Sequence, residues 1–296
     1  MSVVHISCAA RGPYIRLSAV ALASALANAG GAVHVHYLHP PGAASADLEA
    51  IGTMVESGSG RIDFHSIPPE RVAALPTVSE FTSAMWYRIL LPELLGDVDR
   101  VLYLDVDTLV LDSLQPLAEL DLSGHLLAAV SNVFQHNHVG RPRELGIPSG
   151  QAYFNSGVML MNLAEMRRTG AADAVVECAV ERSTELEWPD QDALNLVLGP
   201  RRLPLAPRWN CMNSVIHFDS AVDVFGEEAV REARSEPAIR HFEGPGANKP
   251  WDPRCTDPLR GAYTQHLAAT PWPDLRIGDA HRPGFFRRVL ELARRS

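Results

Sequence analysis

At 296 residues, 46% hydrophobic and 21% charged, the chain has the composition of a globular protein with a sizeable core, as one large domain or two small ones. Its 35 acidic against 26 basic residues give a formal charge of −9, which excludes a general nucleic-acid binder, because neutralising phosphates takes a basic surface. No apolar run reaches the roughly 18–20 residues that cross a bilayer. The opening MSVVHISCAARGPY has neither the basic start nor the cleavage site of a signal peptide, so a cytoplasmic location is expected. Cys8, Cys178, Cys211 and Cys255 lie far apart, without the spacing of a zinc site or a disulfide framework, and are expected as reduced, mostly buried thiols.

The elements alternate from the start. Val3 to Cys8 predicts a strand, Leu17 to Ala29 a helix stopped by Gly30-Gly31, Val33 to Leu38 a strand, Ala46 to Val55 a helix and Arg61 to Ser66 a third strand. Strands alternating with helices imply parallel pairing through crossover helices. Met85 to Leu95 predicts a helix, and Arg100 to Leu104 a buried strand running into Asp105. Ala152 to Leu163 is apolar after a polar start. Ala171 to Arg182 and Asp190 to Leu198 predict helices, and proline- and glycine-rich loops are expected over 140–150, 199–208 and 243–258.

The sharpest chemical signal is Val101-Leu102-Tyr103-Leu104-Asp105-Val106-Asp107-Thr108. It places two carboxylates at the C-terminal end of a buried strand, where open α/β sheets bind ligands. Two carboxylates one residue apart can share a hard divalent cation whose remaining positions are filled by diphosphate oxygens. A haloacid-dehalogenase-type phosphatase, with Asp105 as nucleophile, is one class that uses such a pair. It also needs a catalytic lysine and a later acidic pair, and the sole lysine, Lys249, has no aspartate pair in the segment that follows. A non-catalytic nucleotide-sugar binding protein is a further alternative.

Five segments together resemble the family 8 retaining glycosyltransferases, which include bacterial lipopolysaccharide galactosyl- and glucosyltransferases and glycogenin. They are Trp86 to Glu93, Arg100 to Asp112, Tyr153 to Leu163, Asp190 to Asn195 and His241 to Trp251. Their order and spacing match over about residues 1–260. The resemblance implies a GT-A fold, a mixed and mostly parallel sheet flanked by helices. It implies a catalytic domain over 1–265 and an extension over 266–296. It further implies a hexosyltransferase moving galactose or glucose from a UDP-sugar to an acceptor hydroxyl of a glycan, lipid-linked or small-molecule acceptor.

Asp105, Asp107 and His241 would ligate Mn2+, with Mg2+ as the alternative ion; two oxygens and an imidazole suit such a cation. Lys249 would reach the diphosphate and stabilise charge on the leaving group. Arg88, Val106 and Gly244 match donor contacts. Asn155, Asp190 and Asp192 match positions lining the sugar pocket. Gln191, between the two aspartates, would face the anomeric carbon opposite the leaving group, stabilising oxocarbenium charge without bonding to it.

The chain departs from this pattern in three places. Relatives hold uracil and ribose with acidic and amide residues before a tyrosine; here the segment is Ala9-Ala10-Arg11-Gly12-Pro13-Tyr14. Tyr14 can stack on a base, but a guanidinium has no acceptor for the uracil N–H. Either Arg11 turns to the diphosphate or it faces carbonyl oxygens of another base. Asn132 stands where relatives often carry an aspartate near the acceptor. His241 to Lys249 spans two residues more than usual, so that loop must bulge. Residues 282–296 carry five arginines and one glutamate among Phe285, Phe286, Val289, Leu290 and Leu292, which suits peripheral contact with anionic lipid or a docked surface helix.

Overall fold

Among the described residues there are ten strands: β1 (Val4–Ala9), β2 (Val33–His39), β3 (Arg61–Ser66), β4 (Arg100–Leu104), β5 (Thr108–Val110), β6 (Leu127–Ser131), β7 (Phe154–Asn162), β8 (Arg202–Pro204), β9 (Cys211–Met212) and β10 (Ile239–His241). The computed structural model describes residues 3–77 and 80–275. Seven strands form one sheet in the order β3-β2-β1-β4-β7-β6-β8, and β5-β10-β9 form a second. In the large sheet β7 alone runs against the rest, paired antiparallel to both β4 and β6. The expected mixed, mostly parallel sheet is therefore present.

Both faces of the central strands β4, β6 and β7 are covered, which is why they read as nearly continuous apolar runs, whereas the edge strand β3 is largely exposed. On one face Val4, Ile6, Val35 and Tyr37 pack with Leu22 and Ala25 of the helix Tyr14–Asn28 and with Ile51 and Val55 of the helix Ser45–Ser57. On the other, Val101, Tyr103, Met159 and Met161 pack with the helices Leu163–Thr169, Ala171–Glu181 and Pro189–Leu198. Asn162 ends β7 and caps the next helix, its side chain accepting from Glu165 N at 3.1 Å. That helix stops at Gly170, whose φ of 67° is left-handed. All four cysteines are free, Cys178 half-buried and the others buried.

Several expectations are corrected. The helix expected over Met85 to Leu95 is a 3-10 helix, Glu80–Leu90, followed by one α turn, Leu91–Leu94. Pro92 cannot donate within an α-helix and its ring would strike the preceding turn, so it sits where a new helix starts. The expected loop over 199–208 contains the edge strand β8. Position 265 lies inside the helix Arg260–Ala268, whose Tyr263 packs with Val20, Leu109 and Phe242. Among the described residues no helix is long and apolar enough to cross a membrane. The basic segment 282–296 lies outside the described residues.

The small sheet is held by Arg240, which has no solvent exposure. Its guanidinium donates to Cys211 O at 2.6 Å, His241 O at 2.5 Å, Asp257 Oδ2 at 2.7 Å and Asn213 Oδ1, and lies 4.6 Å from the Phe242 ring centre. Arg240→Met should leave the Asp257 carboxylate buried without its partner and lower unfolding stability by about 3–5 kcal/mol in a denaturant titration. Adding Asp257→Asn should recover part of that loss. A single variant within about 1 kcal/mol of the parent would show that the pair carries no net stability.

Candidate active site

The chain leaves the large sheet at Asp105 and enters the small one at Thr108. Asp105 N extends the β4–β7 ladder by donating to Gly157 O at 2.8 Å. Thr108 closes the turn, its Oγ1 donating to Asp105 O at 2.8 Å. β5 then pairs with β10 so that Thr108 faces His241, and Phe242 N donates to Asp107 O at 2.9 Å. This register brings together residues more than 130 positions apart. One ligand atom each from Asp105, Asp107 and His241 lie within 4.8 Å of one another.

The surroundings of these three side chains fit a divalent cation. His241 Nδ1 meets Asn210 Oδ1 at 2.9 Å, leaving Nε2 on the side of Asp107 at 3.4 Å. Asn210 Nδ2 in turn donates to Asn155 Oδ1 at 2.9 Å, which also accepts from Gly157 N at 3.0 Å. Such outer partners fix the ring orientation of a ligating histidine. At Gly157 a Cβ would stand 2.8 Å from Asp105 Oδ2 and inside contact distance of the His241 ring. Glycine there keeps the space among the three side chains open.

The electrostatics are those of compensated charge. Burial works against the charge on Asp107, but Lys249 and then His241 hold its carboxyl well below the usual carboxylate range. Lys249 Nζ donates to Asp107 Oδ2 and to Phe242 O at 3.0 Å. Burial lowers the His241 pKa, yet Asp107 reverses this and raises it. Arg88 is buried, with Nη2 at 3.1 Å from Asp105 Oδ1 and 3.6 Å from Asp190 Oδ2, Nη1 donating to Ser156 O at 2.5 Å, and its guanidinium 4.2 Å from the Tyr103 ring centre. Burial pushes Asp190 up to about 6, against the pull of Arg88.

A cleft of about 800 Å³ opens beside this centre, lined among others by Arg88, Asp105, Asn132, Asn155, Asp190, Gln191 and Gly244. The Gln191 amide is held at both ends: Ser156 N donates to Oε1 at 3.0 Å, and Nε2 donates to Tyr153 Oη at 3.3 Å. Phe134, His138, Trp188 and Phe218, none singled out by sequence reading, line the same cleft. Trp188 stands 5.1 Å from His138 and 6.1 Å from Phe134, between ring centres. Arg11, Tyr14 and Val106 do not line it; they follow the adjoining ends of β1 and β4. Arg11 Nη1 donates to Ser83 Oγ at 3.0 Å, the Tyr14 ring meets Trp251 edge-on at 6.3 Å, and Val106 packs on the core.

Asp192 does not line this cleft. Its carboxylate is wholly buried and accepts from Arg141 Nη2 at 2.5 Å, Tyr153 Oη at 2.5 Å, and the amides of Glu187 and Trp188 at 2.9 and 3.1 Å. Three of these four hydrogen bonds fall on Oδ2 and one on Oδ1, and no part of the residue reaches solvent. Its carboxylate instead anchors the Tyr153 hydroxyl that Gln191 touches. Asp190 and Asp192 are two residues apart, so they point to different sides of the helix Pro189–Leu198.

Comparison with known proteins agrees with this geometry. General stress protein A of Bacillus subtilis is 33% identical over 199 residues, covering 66% of this chain and 68% of its own. Lipopolysaccharide 1,2-glucosyltransferase of Escherichia coli is 27% identical over 239 residues, covering 79% and 68%. The crystal structure of galactosyltransferase LgtC with donor and acceptor sugar analogues superposes with a TM-score of 0.80 at 28% identity, covering 90% of this chain and 96% of that one, and the fold is accordingly GT-A. Residues 5–255 match the profile of glycosyl transferase family 8. That match overturns the phosphatase alternative, and the chain belongs to glycosyl transferase family 8.

Proposed function

We propose that the chain is a metal-dependent, retaining hexosyltransferase that moves galactose or glucose from a UDP-sugar to a hydroxyl of a glycan acceptor. The observation that carries this reading is the meeting of Asp105, Asp107 and His241 beside a cleft lined by Arg88, Asp190 and Gln191. Mn2+ held by those three side chains would supply positive charge against the donor diphosphate.

The chain's own residues account for the rest. Arg88, fixed by Ser156 O and Asp105, presents a buried guanidinium at the cleft wall and sets the position of Asp190. Lys249 sits on Asp107 and, once that carboxylate is otherwise engaged, is the cation free to turn to the diphosphate as charge develops there. Gln191 is a neutral amide immobilised by Ser156 and Tyr153. It can stabilise positive charge at the anomeric carbon and is a poor nucleophile, which favours departure and attack on one face of the sugar. The acceptor hydroxyl would then lose its proton to a diphosphate oxygen. Trp188, Phe134 and Phe218 offer flat apolar surfaces of the kind that pack against sugar rings, and the curated relative from Escherichia coli is named for a lipopolysaccharide acceptor.

Asp107→Asn should abolish manganese-stimulated hydrolysis of UDP-galactose and UDP-glucose, by about 10²-fold or more, with the circular-dichroism spectrum unchanged. Unaltered metal dependence would remove Asp107 from the centre. Lys249→Ala should bind Mn2+ about tenfold more tightly without nucleotide, about 1.4 kcal/mol, because the cation competing for Asp107 is gone. The same variant should lose kcat while donor KM changes little, since the lysine acts where charge grows. Equal metal affinity and equal kcat would place Lys249 outside the reaction.

Arg11 governs the third expectation. With Ser83 holding the guanidinium and no acceptor on it for a base N–H, backbone carbonyls should read uracil while Arg11 serves the diphosphate. In calorimetry with manganese, UDP should bind more tightly than GDP, ADP or dTDP, and Arg11→Ala should weaken all four alike. A preference for GDP that disappears in the variant would overturn the UDP reading and make Arg11 the base reader.

A further inference from the structure

Away from the cleft, β1, β2 and β3 collect four of the twelve histidines on one face of the sheet. His5 lies in register with His34, Ser7 with His36, Asp63 with His36, and His65 with Leu38. In-register neighbours and residues two apart share a face, so His5, His34, His36, Asp63 and His65 stand together. The opposite face of β1 and β2 is apolar core. None of these five residues lines the cleft described above, and the reaction proposed there uses none of them.

Packing alone does not account for this cluster. Ring centres of His34 and His36 are 4.3 Å apart, of His5 and His34 5.2 Å, and of His36 and His65 5.8 Å. His5 Nδ1 meets His36 Nε2 at 2.9 Å, so one ring must donate to the other. His36 is 2% exposed and its Nδ1 has no hydrogen-bond partner; neither has the buried Nε2 of His65. Stacking imidazoles on adjacent strands with two ring nitrogens unpaired is costly for a core that gains nothing polar in return.

We propose that His5, His34 and His36 bind a transition-metal ion, Zn2+ foremost, at a site separate from the catalytic centre. One nitrogen from each ring lies within 4.8 Å of the others. Two histidines two apart on one strand and a third on its neighbour make a three-imidazole set, with the fourth tetrahedral position open to water or to His65. With metal–nitrogen bonds of about 2.0–2.1 Å, tetrahedral ligands stand about 3.3 Å apart, so the His5–His36 contact need open only slightly. The Asp63 carboxylate accepts from His34 Nε2 at 2.7 Å, the carboxylate–histidine pairing that fixes a ligand's tautomer.

The charge state suits metal binding. Burial, then the neighbouring rings, lower the His36 pKa to about 3, and burial lowers those of His5 and His65. Neutral imidazole is the ligating form. Arg61, exposed and 3.3 Å from Asp63, is the one cation among the contacts described around this cluster. Three imidazoles select zinc, copper, nickel or cobalt over the harder manganese and magnesium. The two sites therefore draw on different ions.

The test uses the full chain freed of metal, with Zn2+ and Co2+ as probes and Asp107→Asn as background to disable the other centre. In that background the protein should bind one equivalent of Zn2+, rise in melting temperature as Zn2+ is added, and give the intense visible absorption of tetrahedral Co2+. His34→Gln in the same background should fold, as its metal-free melt will report, and lose all three responses. Because His36 is fully packed, His5→Gln serves as the second variant and should weaken Zn2+ binding at least tenfold. Zinc binding absent from the Asp107→Asn protein, or unchanged by both histidine substitutions, would overturn the proposal.

Discussion

Carboxylates taken out of water must find positive charge, and the arrangement at the junction of the two sheets follows from that requirement. Asp107 is nearly enclosed and draws in Lys249 and His241; Asp105 and Asp190 share the guanidinium of Arg88. The chain's own cations thus hold the carboxylates apart and charged without any other ion. Asp190 shows the limit of this compensation: one arginine serves two acids, and burial still pushes Asp190 up to about 6. A site with acids in excess of fixed cations is one that a divalent cation stabilises on arrival.

Position is set by groups that carry no charge. Reversal of β7 places Gly157 against the end of β4, and absence of a Cβ there is what lets His241 and Asp105 approach. The amide series Asn155, Asn210 and the His241 ring then ties β7 to the segment preceding β9 and to β10. On the cleft side, Arg141, Asp192 and Tyr153 form a buried line ending on Gln191. Each line begins in the core and ends at the metal-sized cluster or the cleft wall, the order needed for side chains held in place in advance.

How much of this was readable depended on segment length and on where partners lie along the chain. β1 to β3 and their helices announced themselves because each spans six or more residues of one periodicity. β5, β9 and β10 hold two or three residues each, too few for any period, and β5 and β10 pair across more than 120 residues. Asp105, Asp107 and His241 were legible through motif context, whereas Gly157, Asn210 and Arg240 were not: a glycine's close approach or an arginine's burial exists only once the strands have met. Asp192 could not be told from Asp190 for a related reason. Acidic residues near a helix start look alike in sequence, and which one faces the cleft is decided by tertiary packing.

The segment after β10 folds back on itself to bring Lys249 to Asp107. Eight positions separate His241 from Lys249, and the chain must return to Asp107 within them. Gly244, with φ of 88°, turns the backbone so tightly that a Cβ there would meet the Asn248 side chain, and Gly246, with φ of 61°, begins the 3-10 turn Gly246–Asn248. Both conformations strain any residue with a side chain. Within this fold-back Lys249 N donates to Gly246 O at 2.9 Å. The lysine's anchor is therefore local, while its ammonium reaches across to the other sheet junction. A loop built this way can change the lysine's partner by side-chain rotation alone, leaving His241 and the backbone of β10 beside Asp105 and Asp107.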